Sequence, residues 1–259
     1  MARSKWTSLA AGLATLLLLG ASTASHGAAE KNPCIRQTFE GSIFEVCGYN
    51  PKTQDLRLAW TGADGTALRG FSALTAALGP DADHVQFAMN AGMFDEAGAP
   101  IGLYVENKKE RHALNQADGE GNFYLKPNGV LWLDDEGRAR VTTAGEYLVS
   151  SQSTLSATQS GPMLVIHGAL HPAIQNDGPS RFVRNGVGAP GDGTAVFVIS
   201  QAPVSFGKLA RLFRDLLKCP DALYLDGAIS SLWLPGEKRM DSRYPLGPML
   251  VVSARAPKS

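Results

Sequence analysis

The chain has 259 residues, 24 Lys+Arg against 24 Asp+Glu, and a content of 44% hydrophobic and 19% charged residues. That composition supplies a core and argues against a disordered, self-repelling chain. The balanced charge argues equally against a nucleic-acid binder, which would carry a basic face. Its 28 Gly and 15 Pro cluster between short apolar runs, which predicts a strand-rich and loop-rich fold rather than a helical bundle.

In chain order, the N-terminus reads as a secretory signal peptide over residues 1–24. Arg3 and Lys5 form its positive region, Leu9 to Leu19 its apolar region, and Ala21-Ser22-Thr23-Ala24 its small-residue end. Cleavage falls between Ala24 and Ala29. The apolar run is shorter than the ~20 residues that span a bilayer, and no other stretch is long enough. The expectation is an exported protein, periplasmic or secreted, without stable membrane insertion after signal removal.

An oxidising compartment gives the three cysteines meaning. Cys34 and Cys47 flank the strand-like run Ile43-Phe44-Glu45-Val46, and are expected to be bonded. A loop of that size contributes roughly 3 kcal/mol in the chain-entropy model. Cys219 closes an apolar helix pattern and reads as a buried thiol.

Leu56 to Trp60 alternates as a short strand, Phe71 to Leu78 reads as a helix stopped by Gly79-Pro80, and Val85 to Met89 is an apolar strand. Further strands are expected at Gly102–Glu106, Asn122–Lys126, Val130–Asp134, Pro162–Ile166 and Thr194–Ser200. Pro127-Asn128-Gly129 reads as the turn of a hairpin. Phe206, Leu209, Ala210, Phe213, Leu216 and Leu217 share one helical face, and that helix feeds the strand Ala222–Asp226. The predicted class is α+β: a single domain over residues 31–259, with a mixed, mostly antiparallel β-sheet and few helices.

Several motifs fail on context. Gly186 to Gly191 matches G-x-G-x-x-G, but Pro190 and the following strand make it a hairpin loop rather than a dinucleotide cradle. His167 and His171 are spaced like zinc ligands, yet Gly168 and Pro172 break any helix, so both read as loop residues. No G-x-S-x-G elbow occurs.

Four clusters of small and polar residues end apolar strands, where sites tend to sit. They are Asn90-Ala91-Gly92-Met93-Phe94, Gly102 to Asn107, Arg184-Asn185-Gly186-Val187-Gly188, and Asp226-Gly227-Ala228-Ile229-Ser230. Each alone reads as a capped turn. Together they offer carboxylates, a guanidinium, amides and a hydroxyl, a set suited to anion binding with acid–base or nucleophilic chemistry.

With Ala157 to Val165 and Leu223 to Gly227, these segments, in this order, resemble the phosphodiester glycosidase family (uncovering-enzyme-like), in a bacterial-type branch. Many members carry Asp-Gly-Gly-Gly-Ser where this chain has Asp226-Gly227-Ala228-Ile229-Ser230. The resemblance implies an α+β domain that hydrolyses the bond between an anomeric sugar carbon and a phosphodiester. It implies Asp226 as nucleophile or base, Glu106 as second carboxylate and Arg184 as phosphate clamp. Asn90, Gly92, Thr158, Ser160, Asn185, Gly227 and Ser230 are the expected substrate-binding positions. No cofactor and no metal ligands are expected, a structural divalent cation staying open; the partner is a carbohydrate phosphodiester. Two readings compete. A polysaccharide or cell-wall binding module would expose Trp60, Trp132 or Trp233, and a phosphodiesterase cutting P–O would want clustered His and carboxylate ligands.

Overall fold

Short apolar runs punctuated by turn residues fold here into hairpins. Cys34–Phe39 (β1) returns as Ser42–Tyr49 (β2) through Glu40-Gly41, whose φ values of 44° and 74° suit a two-residue hairpin turn. Cys34 and Cys47 are register partners across this pair and form a disulfide. The computed structural model describes residues 32–150 and 153–255, together with Met1. The expected signal peptide lies outside the described residues. The described residues from Asn32 onward form one compact unit, and no helix among the described residues is long and apolar enough to cross a membrane.

The remaining strands are Gln54–Ala59 (β3), Val85–Asn90 (β4), Tyr104–Glu106 (β5), Lys109–His112 (β6), Gly129–Leu133 (β7), Ala139–Thr143 (β8), Ser156–Ser160 (β9), Met163–Ile166 (β10), Ala169–Leu170 (β11), Asn185–Ala189 (β12), Ala195–Ser200 (β13), Asp221–Asp226 (β14), Leu232–Leu234 (β15), Arg239–Met240 (β16) and Met249–Ala254 (β17). Among the described residues, three α-helices join them: Phe71–Leu78 (α1), Ala144–Ser150 (α2) and Phe206–Arg211 (α3), the last running into a wider π turn at Leu212–Leu216.

The α+β class stands, with one refinement. The strands divide among three sheets, ordered β1-β2-β13-β12-β14-β10-β11, β16-β15-β4-β17-β3 and β6-β5-β9-β7-β8. Every strand pairing described is antiparallel. The β13–α3–β14 connection looks like a parallel unit in sequence, but β12 lies between its two strands. Apolar residues of all three sheets share one core, including Phe87 and Met89, Tyr104 and Leu131, and Phe197 and Leu223. Removing such side chains from water is the main stabilising term.

Some elements differ from expectation. Asn122–Tyr124 is a 3₁₀ turn, not a strand, and β7 pairs with β8 and β9 instead. Phe123 of that turn is buried as an anchor, which gives it the apolar character of a strand residue. Gly186 and Gly188 lie inside the buried strand β12, not in a hairpin loop. A Cβ on Gly188 would come within 2.6 Å of Cys219 Sγ and 2.7 Å of the Phe213 ring. The glycines therefore let the helical segment lie close on the sheet. His171 lies in a loop, as expected, but is buried there, and burial pushes its imidazole pKa down. Cys219 is buried, with its thiol pushed up to about 12 by that burial.

Candidate functional site

Three strand ends meet at one place: β4 ends at Asn90, β12 begins at Asn185 and β14 ends at Asp226. Asn185 is the register partner of Asp226, with a bulge immediately beyond it. Asn185 Nδ2 donates to Asn90 O at 3.1 Å and to Asn90 Oδ1 at 3.0 Å, while Ser231 N donates to Asn90 Oδ1 at 2.8 Å. Ser230 Oγ sits 2.9 Å from Asp226 O and 3.2 Å from Asn185 Oδ1. Both amide residues are buried, so this bonding is required to hold them there. The pair therefore fixes the relative position of strands from two different sheets.

Asp226 sits at the head of the loop 227–231, which leaves β14 in the first sheet and enters β15 in the second. Its Oδ1 accepts backbone N–H groups from Gly227 at 2.5 Å, Ala228 at 2.8 Å and Ile229 at 3.3 Å. Oδ2 takes part in none of these bonds. Burial pushes the carboxyl above the usual carboxylate range, against the pull of those backbone donors and of Arg184. A carboxylate with one oxygen fixed and the other uncommitted can attack carbon or take a proton from water.

Arg184, on the segment entering β12, has no exposed surface. Its Nε donates to Val204 O at 2.9 Å, Nη1 to Tyr224 Oη at 2.8 Å, and Nη2 to Ser180 Oγ at 2.9 Å and O at 3.3 Å. Phe206 stacks beneath the guanidinium, 3.6 Å from carbon to ring centroid. Burial lowers its pKa, and the same burial raises that of Tyr224. Gly227 closes the arrangement: a Cβ there would run into Tyr224 Oη and come within 3.1 Å of Arg184 Nη1. Arg184 is thus adjacent to the Asp226 loop, with most of its fork already filled by protein acceptors.

The other expected positions lie in or against the third sheet. Thr158 Oγ1 accepts the Gly92 N–H at 3.1 Å, and Ser160 Oγ donates to Leu225 O at 2.9 Å. Both side chains are buried, and they tie β9 to the segments after β4 and before Asp226. Glu106 Oε2 accepts from Arg111 at 3.0 Å and from Tyr104 Oη at 3.3 Å, and Arg111 stacks over Trp60. Glu106 and Asp226 share no hydrogen-bond partner, so the structure does not bring the expected carboxylates together as a bonded pair.

A cleft of about 670 Å³ opens over the 227–231 loop, within the range of small-ligand sites. Gly227, Ala228, Ser230 and Ser231 contribute to its floor, and Arg181, Phe182, Arg239, Asp241, Arg243 and Tyr244 to its walls. None of these wall residues stood out in sequence, where single arginines look like ordinary surface charge. The available signal was the density of Arg239, Arg243 and Tyr244 in one short stretch soon after Asp226. Among the described residues, no group of three or more His, Cys, Asp or Glu side chains is placed to hold a metal ion together. Trp132 and Trp233 are buried and Trp60 is half-buried, so the first two cannot act as platforms for a polysaccharide.

A model of the phosphodiester glycosidase family matches residues 83–253, which takes in every strand end of this site. The chain belongs to that family. The uncharacterized protein YigE of Escherichia coli (strain K12) is 38% identical over 208 residues, covering 80% of each chain. Among solved structures, the family fold recurs in the catalytic domain of zebrafish N-acetylglucosamine-1-phosphodiester α-N-acetylglucosaminidase, auto-inhibited by its pro-peptide. That match has a TM-score of 0.59 at 13% identity and covers 86% of this chain and 82% of the other. A hypothetical protein from Synechocystis is similar in fold, with a TM-score of 0.53 at 15% identity, over 86% of this chain and 61% of its own.

Proposed function

We propose that the protein is an exported hydrolase that cleaves the C1–O bond of a sugar-1-phosphodiester. The observation that carries this reading is Asp226, its Oδ1 pinned by three consecutive backbone N–H groups of a loop whose Gly227, Ala228 and Ser230 line a cleft together with Arg181, Arg239 and Arg243. Membership of the family supports the substrate class. The Cys34–Cys47 disulfide supports an oxidising compartment, and with it export.

In this reading Asp226 Oδ2 takes a proton from the water that attacks C1, or itself attacks C1 to form a glycosyl ester that water then cleaves at C1, releasing the carboxylate. As C1 becomes oxocarbenium-like, the C1–O bond breaks and its electron pair leaves on the phosphate oxygen. Water supplies the hydroxyl that ends on C1, and its proton leaves through Asp226 to the phosphate monoester or to solvent. That leaving group is already stable as an anion, so a single carboxylate suffices for proton work. Glu106, paired with Arg111, is given no proton transfer in this scheme. Arg184 holds the Tyr224 hydroxyl, against which Gly227 packs, and so supports the loop that carries Asp226. Asn90, Asn185 and Ser230 set the strand ends on which the substrate would rest.

Incubation with a panel of sugar-1-phosphodiesters in oxygen-18 water tests the reaction. Label is expected in the freed sugar; label in the phosphate would refute C1–O cleavage. Asp226→Asn is expected to lower kcat by about 10³-fold or more while remaining folded. Near-wild-type turnover by a folded variant would remove Asp226 from the mechanism.

A further inference from the structure

The cleft has four nearby arginines, and they are not equivalent. Arg184 is fully enclosed and bonded to protein acceptors. Arg239 directs Nε and Nη2 at Asp241, at 3.1 and 2.8 Å, so a carboxylate already fills its fork. Arg181 is held by Asp177 at 3.0 Å and by the Gly178 carbonyl. Arg243 differs from all three. It is exposed, lines the cleft and enters no ion pair among the described residues, its guanidinium standing over the Tyr244 ring at 5.2 Å. Such stacking orients a guanidinium without using its N–H donors.

The apolar surface beside it is also unusual. Phe182 and Tyr244 are 49% and 41% exposed, and both belong to this one cleft. A free guanidinium flanked by exposed rings, above a floor of backbone and hydroxyl groups, matches a ligand with one anionic centre joined to a ring of carbon faces.

Resting on the hydrolase reading above, we propose that Arg243, not Arg184, recognises the phosphodiester anion, with Phe182 and Tyr244 packing against the groups it joins. The division of labour follows from solvation. Arg184 is fully buried with four of its five N–H donors already committed, so it has little left to offer a phosphate, whereas an exposed guanidinium exchanges only water. Arg243 thereby sets substrate affinity and selects for the charged diester, while the carboxylate chemistry stays with Asp226.

Titration calorimetry with inorganic phosphate, together with steady-state kinetics on whichever sugar-1-phosphodiester the panel shows to be turned over, tests this. Arg243→Gln is expected to melt like wild type, because its side chain is exposed. It is expected to weaken phosphate binding and raise KM by about 10- to 100-fold with a much smaller change in kcat. Arg243→Lys, which keeps charge but loses the fork, is expected to fall between the two. Unchanged phosphate affinity and KM in Arg243→Gln would overturn the proposal while leaving hydrolysis by Asp226 intact. Arg243-dependent phosphate binding without hydrolysis of any diester would instead leave the recognition role standing and defeat the hydrolase reading. Absence of phosphate binding by the wild-type protein, with KM also insensitive to Arg243, would equally overturn it.

Discussion

At Asp226 two opposed effects act on one carboxyl. Burial favours its neutral form, and three backbone donors favour the charged form, with burial the larger. Its folded pKa is therefore above its unfolded one. Between those values the folded state holds more protons, so stability falls as pH rises through that window, and the ionised carboxylate costs stability at neutral pH. Asp226→Asn is accordingly expected to melt at or above the wild-type temperature at pH 7. That advantage should shrink as pH falls toward the ordinary carboxylate value of about 4. Calorimetric melting of both proteins across that range checks the sign, and a variant markedly less stable at pH 7 would contradict it. Arg184 presents the reverse case, because its guanidinium satisfies buried acceptors. Lysine cannot reach Val204 O, Tyr224 Oη and Ser180 together, and each acceptor left without a partner costs about 1–3 kcal/mol. Arg184→Lys should therefore lose at least ~2 kcal/mol, lowering Tm by roughly 4–8 °C in a domain of this size. An unchanged Tm would show that the fork is energetically idle.

At the level of elements, β1 is an edge strand of the seven-stranded sheet, held on one side by β2 and by the disulfide at the Cys34↔Cys47 pair. Edge strands expose unpaired backbone and fray readily. Closing the loop between residues 13 apart removes roughly 3 kcal/mol of unfolded-state entropy. Cys34→Ser with Cys47→Ser is thus expected to lower Tm and to speed amide exchange first in β1, with a much smaller change in kcat. Uniform loss of protection across all three sheets would refute such a local role. Other elements were legible in sequence for simple reasons. Phe71–Leu78, Val85–Asn90 and Asp221–Asp226 have clear periodicity and firm stops, and the structure places them within a residue or so of the pattern. Asn122–Tyr124 misled because one buried aromatic in a short apolar stretch looks the same in a turn as in a strand. Gly186 and Gly188 misled because glycine usually marks a loop, whereas here it accommodates Phe213 and Cys219.

For the whole molecule, the candidate site was half visible beforehand. Asn90 and Asp226 end apolar strands, Asn185 begins one and Ser230 follows one, and three-dimensional convergence of such ends is what a sheet-rich fold supplies. Burial of Arg184 was not visible, because its acceptors come from Val204, Ser180 and Tyr224, none adjacent to it in sequence. Nor did sequence show that Glu106 would be tied to Arg111 on the neighbouring strand of the third sheet.

The loop from Asp226 to β15 crosses between sheets, and Asn90 and Asn185 clasp each other across the same seam. Neither sheet alone owns the site. It behaves like a lock whose two halves are cut on separate plates: any intermediate in which one sheet has formed and the other has not carries no reactive geometry. On the hydrolase reading, activity is therefore expected to return during refolding only as that seam closes.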